Sequence, residues 1–239
     1  MMFEKIVGFG DSFMWGDELL DPDLKNHPRA HPILVENTAY RESHCFLGLL
    51  GQHFNVPVQN FGIAGGSLQS TIWTYLWWLE NETVELDKCL VLVALTDANR
   101  QTFYNPRHVK YSNDPPWNKF KHTSWINQDL DNLGQEWSTM IKQYMVLTNC
   151  AELCQLNYRQ AVLFFQGQAD KHQALLQFNS IVPCITMNQP SLLWPDTSLQ
   201  QQLKQQPCLM APLGHPNEQG HVWIQNQLIN SINCVILDK

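Results

Sequence analysis

The stretch 89–95, CLVLVAL, is an unbroken apolar run. A strand with one wet face alternates polar and apolar residues, whereas a strand covered on both faces reads as continuous apolar sequence. Residues 5–9, KIVGF, repeat the pattern and stop at Gly10. Two such runs require a sheet with cover on both sides, and the segments between them are the candidates for that cover.

Those segments carry helical spacing. Residues 39–54 place apolar side chains at Phe46, Leu49, Leu50 and Phe54, and residues 67–80 read as a helix capped by Ser67. A helix is also expected over about 129–157, and another over about 217–233, where Ile224, Leu228 and Ile232 lie four apart. Further strands are expected at 56–61 (VPVQNF), 161–165 (AVLFF) and, weakened by Pro183, at 181–187 (IVPCITM). Strands alternating with helices predict a parallel sheet of about five strands with helices on both faces. The chain reads as one domain over 1–239, interrupted near 100–128 by a long loop rich in Pro and aromatic residues. Residues 190–210 read as loop with a short helix.

Only 15% of residues are charged and the net charge is −7, which argues against a nucleic-acid partner. No apolar run is long enough to span a bilayer. The N-terminus passes from Met directly into a core strand with no leader pattern, so a cytoplasmic or virion-associated location is expected. The cysteines at 45, 89, 150, 154, 184, 208 and 234 are odd in number and partly within apolar runs, which suits buried, reduced thiols. His27 and His31, in NHPRAHP, lack the carboxylate spacing of a metal site, and no metal or cofactor is expected.

In open parallel sheets, ligand sites gather at the carboxyl ends of the strands. Ser12, the turn at Gly65 and the segment Thr96–Asn99 each follow a predicted strand. A serine nucleophile needs a base and oxyanion donors. His215, in PLGHPNEQGH just before the last helix, is the candidate base, and Gly65 and Gly66 can bring backbone N–H groups close to a ligand. Taken alone, Ser12 reads first as a turn residue or helix N-cap, and the alternative for His215 is a loop histidine bonded to backbone.

Three blocks in order change that balance: GFGDSFMWG at 8–16, NFGIAGGS at 60–67 and HPNEQGH at 215–221. Together they resemble the GDSL-type SGNH hydrolases, and FMWGDEL and GHPNEQGH are similar to small SGNH-like proteins of bacteriophages. The resemblance implies a three-layer α/β/α sandwich with a flavodoxin-like sheet. It implies Ser12 as nucleophile, His215 as general base, and the N–H groups of Ser12 and Gly65 as oxyanion donors. The substrate would be a small-molecule, lipid or glycan ester. Asp11 would anchor the Ser12 loop, His221 would be structural, and the Trp-rich stretch 73–78 would be core.

Two positions depart from the family pattern. A Gly-x-Asn segment usually supplies a third oxyanion donor after the third strand, but this chain reads LVALTDANR at 92–100. Asp97 or Ala98 falls at that place, and Thr96 or Asn99 would have to substitute. An Asp usually stands three residues before the histidine, where this chain has Pro212. A backbone carbonyl, or the distant Asp196, would then have to hold the Nδ1 proton. These departures keep open a non-catalytic glycan-binding or phage structural protein on the same scaffold, and an acyltransferase.

Overall fold

A computed structural model describes residues 3–24, 34–82, 85–104, 120–123, 135–148, 151–180 and 198–237. In chain order these form β1 (Lys5–Gly10), α1 (Ser12–Trp15), α2 (Thr38–His44), α3 (Phe46–Phe54), β2 (Val58–Gly62), α4 (Leu68–Asn81) and β3 (Cys89–Leu95). There follow β4 (Gln101–Tyr104), β5 (Phe120–Thr123), α5 (Gln135–Thr148), α6 (Ala151–His172), β6 (Leu175–Ser180), α7 (Leu199–Lys204) and α8 (Glu218–Leu237).

The main sheet is parallel, in the order β2-β1-β3-β6. Its two faces are both apolar, so strand alternation sorts residues between two cores rather than between core and water. Ile6, Leu90, Leu92 and Ala94 face Leu47 and Leu50 of α3 and Ile224, Leu228 and Ile232 of α8. Val7, Phe9, Val91, Val93 and Phe178 face Tyr75 and Trp78 of α4 and Tyr158 and Phe165 of α6. Each large side chain buried this way contributes roughly 1.5–3 kcal/mol of transfer free energy. The expected sandwich of helices around a parallel sheet is therefore present.

Several local expectations change. AVLFF at 161–165 lies inside α6, not in a strand. Tyr158, Ala161, Val162, Phe165 and Ala169 are buried while Leu163 is 64% exposed, which is a helical period. A five-residue apolar run cannot by itself distinguish the two states. The fourth parallel strand is instead LLQFNS, disguised by its polar residues. Gln177 can sit there because Ser231 of α8 donates to its Oε1 at 3.0 Å. IVPCITM at 181–187 lies outside the described residues, which hold four parallel strands rather than about five.

The helix expected over 39–54 is two helices, broken at Cys45, whose backbone is extended. The break frees the Phe46 N–H, which donates to His221 Nδ1 at 3.1 Å, so α8 caps α3 from across the core. The helix expected over 129–157 is α5 and α6, with 129–134 and 149–150 outside the described residues. Within the aromatic loop, β4 and β5 pair antiparallel, Gln101 opposite Thr123. α4 begins as expected at Ser67, in a reciprocal capping box with Ser70. Trp78 and Tyr75 are core, as read. Cys45 and Cys89 are buried free thiols whose acidity burial weakens. No group of His, Cys, Asp and Glu among the described residues could hold a metal ion, and no described helix is long and apolar enough to cross a membrane. His27 and His31 lie outside the described residues.

Candidate active site

The site begins where β1 stops. A Cβ at Gly10 would lie 2.6 Å from the Ala94 Cβ, so β1 and β3 approach too closely there for any other residue without a shift. Asp11 then caps the short helix α1, accepting from the Phe13 N–H at 3.0 Å. Ser12 is thereby held at the first turn, where backbone N–H groups have no partner within the helix. Gly16, at φ +83°, closes α1 and turns the chain back under it. Asp17 N–H returns to the Ser12 carbonyl at 3.0 Å.

Asp11 is fully buried. A buried carboxylate is costly unless it is paired and fully hydrogen-bonded. Its other oxygen accepts from Thr96 Oγ1 at 2.6 Å and from Arg100 Nη1 at 3.1 Å. The same guanidinium nitrogen donates to the Gly66 carbonyl at 3.3 Å. One carboxylate thus ties together the turns after β1, β2 and β3. Asp11 is an anchor, as the sequence suggested.

His215 arrives from the other end of the chain. Its loop is pinned by a bridge between Met210 and Pro216 and turns through Gly214 at φ +94°. His215 Nε2 lies 2.9 Å from Ser12 Oγ. Nδ1 lies 2.9 Å from Oε2 of Glu18. Glu18 also accepts the His215 backbone N–H at 3.0 Å and, on Oε1, the Leu213 N–H at 2.8 Å. With a carboxylate on Nδ1, that nitrogen carries the proton, and Nε2 is left as the acceptor for the serine O–H. Glu18 sits at φ +66°, in the left-handed region that a glutamate rarely adopts. Its four-atom reach from that turn sets one carboxylate against the whole His215 loop.

This corrects the expectation for the group that orients the histidine. Among the described residues Glu18, not a backbone carbonyl, meets Nδ1. Pro212 leaves the usual position without an acid, Asp196 lies outside the described residues, and Glu18 occupies Nδ1. A second carboxylate stands on the opposite side of the ring: Asp17 Oδ2 is 3.7 Å from Nε2. Asp17 Oδ1 accepts the Glu18 N–H at 3.0 Å. Sequence reading missed both acids, although they stand together in FMWGDEL. The signal was a pair of acidic residues one turn past the nucleophile.

The oxyanion candidates are placed as follows. Gly62 packs its Cα side against α1, where a Cβ would meet Trp15 N at 2.4 Å, so the turn after β2 is pressed onto the serine helix. Ile63 N–H donates to the Gly10 carbonyl at 2.9 Å and Gly66 N–H to Ile63 at 2.8 Å. The Gly66 N–H is therefore already used. Gly65, at φ +73°, is exposed with open space around it. Thr96 spends its hydroxyl on Asp11. Asp97 Oδ1 accepts from the backbone N–H and the Nδ2 of Asn99, and Asn99 Oδ1 accepts from the Cys154 thiol at 2.7 Å. Asp97 and Asn99 thus bond within their own loop and to α6. A cavity of about 610 Å³ opens beside this loop, lined by Arg100, Thr102, Trp73 and Gln160 among others, but neither Ser12 nor His215 lines it.

His221 is structural, as expected. It is fully buried, stacks on Phe46 and accepts that residue's N–H. Burial first, and the neighbouring His215 second, push its pKa down to about 3.

No family model matches this chain, and no curated protein matches it. Among solved structures, LAE5, an α/β hydrolase enzyme from the metagenome of Lake Arreo, Spain, is 16% identical, with 97% of this chain and 95% of that chain covered and a TM-score of 0.39. A member of the lipolytic protein G-D-S-L family from Veillonella parvula DSM 2008 is 12% identical, with 95% and 96% covered and a TM-score of 0.38. Axe2, an acetylxylan esterase from Geobacillus stearothermophilus, is 13% identical, with 96% and 94% covered and a TM-score of 0.36.

Proposed function

We propose that this chain is a serine ester hydrolase of the SGNH kind, working through a Ser12–His215–Glu18 triad. The observation that carries the reading is the continuous line of contacts, 2.9 Å from Ser12 Oγ to Nε2 and 2.9 Å from Nδ1 to Glu18. Nucleophile, base and orienting acid in hydrogen-bond reach is the geometry that nucleophilic catalysis requires.

Ser12 Oγ attacks the ester carbonyl carbon while His215 Nε2 takes its proton. Glu18 holds the imidazole in the reactive tautomer and stabilises the imidazolium that forms. The tetrahedral oxyanion is received by the N–H groups of Ser12 and Gly65, and the segment Thr96, Asp97 and Asn99 borders the third donor position. The imidazolium returns its proton to the leaving alcohol, and water hydrolyses the acyl-enzyme by the reverse route. The machinery calls on no metal or cofactor. The substrate class is an ester of a small molecule, lipid or glycan. We retain with this reading a single domain and kinship to the small phage SGNH-like proteins, on the strength of FMWGDEL and GHPNEQGH.

The reading of a non-catalytic binding protein rested partly on the absent acid at Pro212. Glu18 weakens that motive. The test is hydrolysis of a short p-nitrophenyl ester together with labelling by a fluorophosphonate. Ser12→Ala is expected to lower turnover by about 10⁴–10⁶-fold and to abolish labelling. Wild-type protein, folded by circular dichroism, that neither turns over ester nor takes the label overturns the proposal.

A further inference from the structure

Glu18 accounts for one side of the His215 ring, and Asp17 accounts for nothing so far. Its position is not accidental. The backbone N–H is bonded to Ser12, and Oδ1 is held by the Glu18 N–H. The remaining oxygen, Oδ2, receives no hydrogen bond from the described residues and stands 3.7 Å from Nε2, the nitrogen that handles the proton. The side chain is one-quarter exposed, so solvent reaches it.

Resting on the hydrolase reading above, we propose that Asp17 positions the hydrolytic water and thereby directs the acyl group to water rather than to an alcohol. The argument is a count of protons. In deacylation the nucleophile gives one O–H to Nε2. Beside that nitrogen a fixed carboxylate oxygen asks for a second. Water carries two O–H groups and satisfies both acceptors, leaving a lone pair for the acyl carbon. An alcohol carries one, so its carbon would face Asp17 Oδ2 and deny that oxygen the donor that water supplies.

The step balances without any further reactant. The water oxygen bonds to the acyl carbon as one proton passes to Nε2. The tetrahedral intermediate then breaks its bond to Ser12 Oγ, which takes that proton back. The second proton, held by Asp17, stays on the product, which leaves as the carboxylic acid and ionises in solvent.

The discriminating variant is Asp17→Asn. Its carbonyl oxygen still accepts the Glu18 N–H, which turns a donor, not an acceptor, toward the water. With p-nitrophenyl acetate and added methanol, the ratio of free acetate to methyl acetate is read directly, whichever step limits the rate. The ratio is expected to fall by about tenfold, the change that ~1.4 kcal/mol of lost preference produces. The rate of Ser12 labelling by a fluorophosphonate, which reports attack by the serine alone, is expected to stay within about threefold of wild type. An unchanged acid-to-ester ratio overturns the proposal, as does a variant in which labelling and hydrolysis fall together. Failure of the wild-type protein to label or to turn over ester would instead sink the hydrolase reading beneath it.

Discussion

His215 and His221 stand six residues apart and face opposite fates. His215 has a fifth of its side chain in solvent and lies between two carboxylates, Glu18 on Nδ1 and Asp17 near Nε2. In the proposed triad it is the ring that receives the serine proton. His221 is sealed in the core on Phe46, has one backbone donor on Nδ1, and no described residue partners its Nε2. It is a neutral acceptor that joins α8 to α3. The ring is the same in both places. What separates them is the surroundings: a carboxylate bonded to Nδ1 at His215, and at His221 a burial that disfavours the charged form.

Three measurements bear on that contrast. The largest expected effect is from Glu18→Gln, which keeps the shape but removes the charge and the certainty of the tautomer. Esterase turnover should fall by about 10³–10⁴-fold, by the same logic as losing the acid of a serine-protease triad. Unchanged turnover would mean that His215 is oriented by its loop alone.

Next comes acid unfolding. His221 is held near a pKa of 3 when folded and returns to the ordinary value near 6.5 when unfolded. Between those values the unfolded chain binds a proton that the folded chain does not. The stability from the neutral ring is therefore complete above pH 6.5 and is lost as the pH falls toward 3, by roughly 3–5 kcal/mol. Urea denaturation from pH 7.5 to 4 reads it. A flat profile in that window would show that His221 is not shielded.

The smallest effect belongs to His221→Leu. It leaves the Phe46 N–H without its acceptor and should cost about 1–3 kcal/mol at pH 7.5. It should also flatten the acid profile while changing turnover by less than about tenfold. A collapse of turnover in well-folded protein would mean the two rings work as a unit.

What the sequence made legible follows from range. β1 and β3 announced themselves because a strand covered on both faces needs an unbroken apolar run, and α4 because Ser67 caps it within four residues. β6 was hidden because the partner that lets Gln177 be buried, Ser231, is 54 residues away. Ser12 and His215 were readable as members of ordered blocks. Glu18 was not, since nothing local marks a glutamate as the partner of a histidine 197 residues later. The family pattern also directed attention to position 212, where a proline has no acid to offer. The left-handed backbone of Glu18, which aims the carboxylate, is a property of the turn after Gly16 and not of the residue type.

The alcohol and both acids lie within Ser12–Glu18, while the imidazole is carried by a loop 197 residues beyond Glu18, pinned by Glu18 itself and by the Met210–Pro216 bridge. Cutting the chain between those two segments would therefore put the proposed nucleophile and its proposed base on separate fragments. In the proposed triad, an acylating reagent would then find an activated serine only where the two fragments bind each other again.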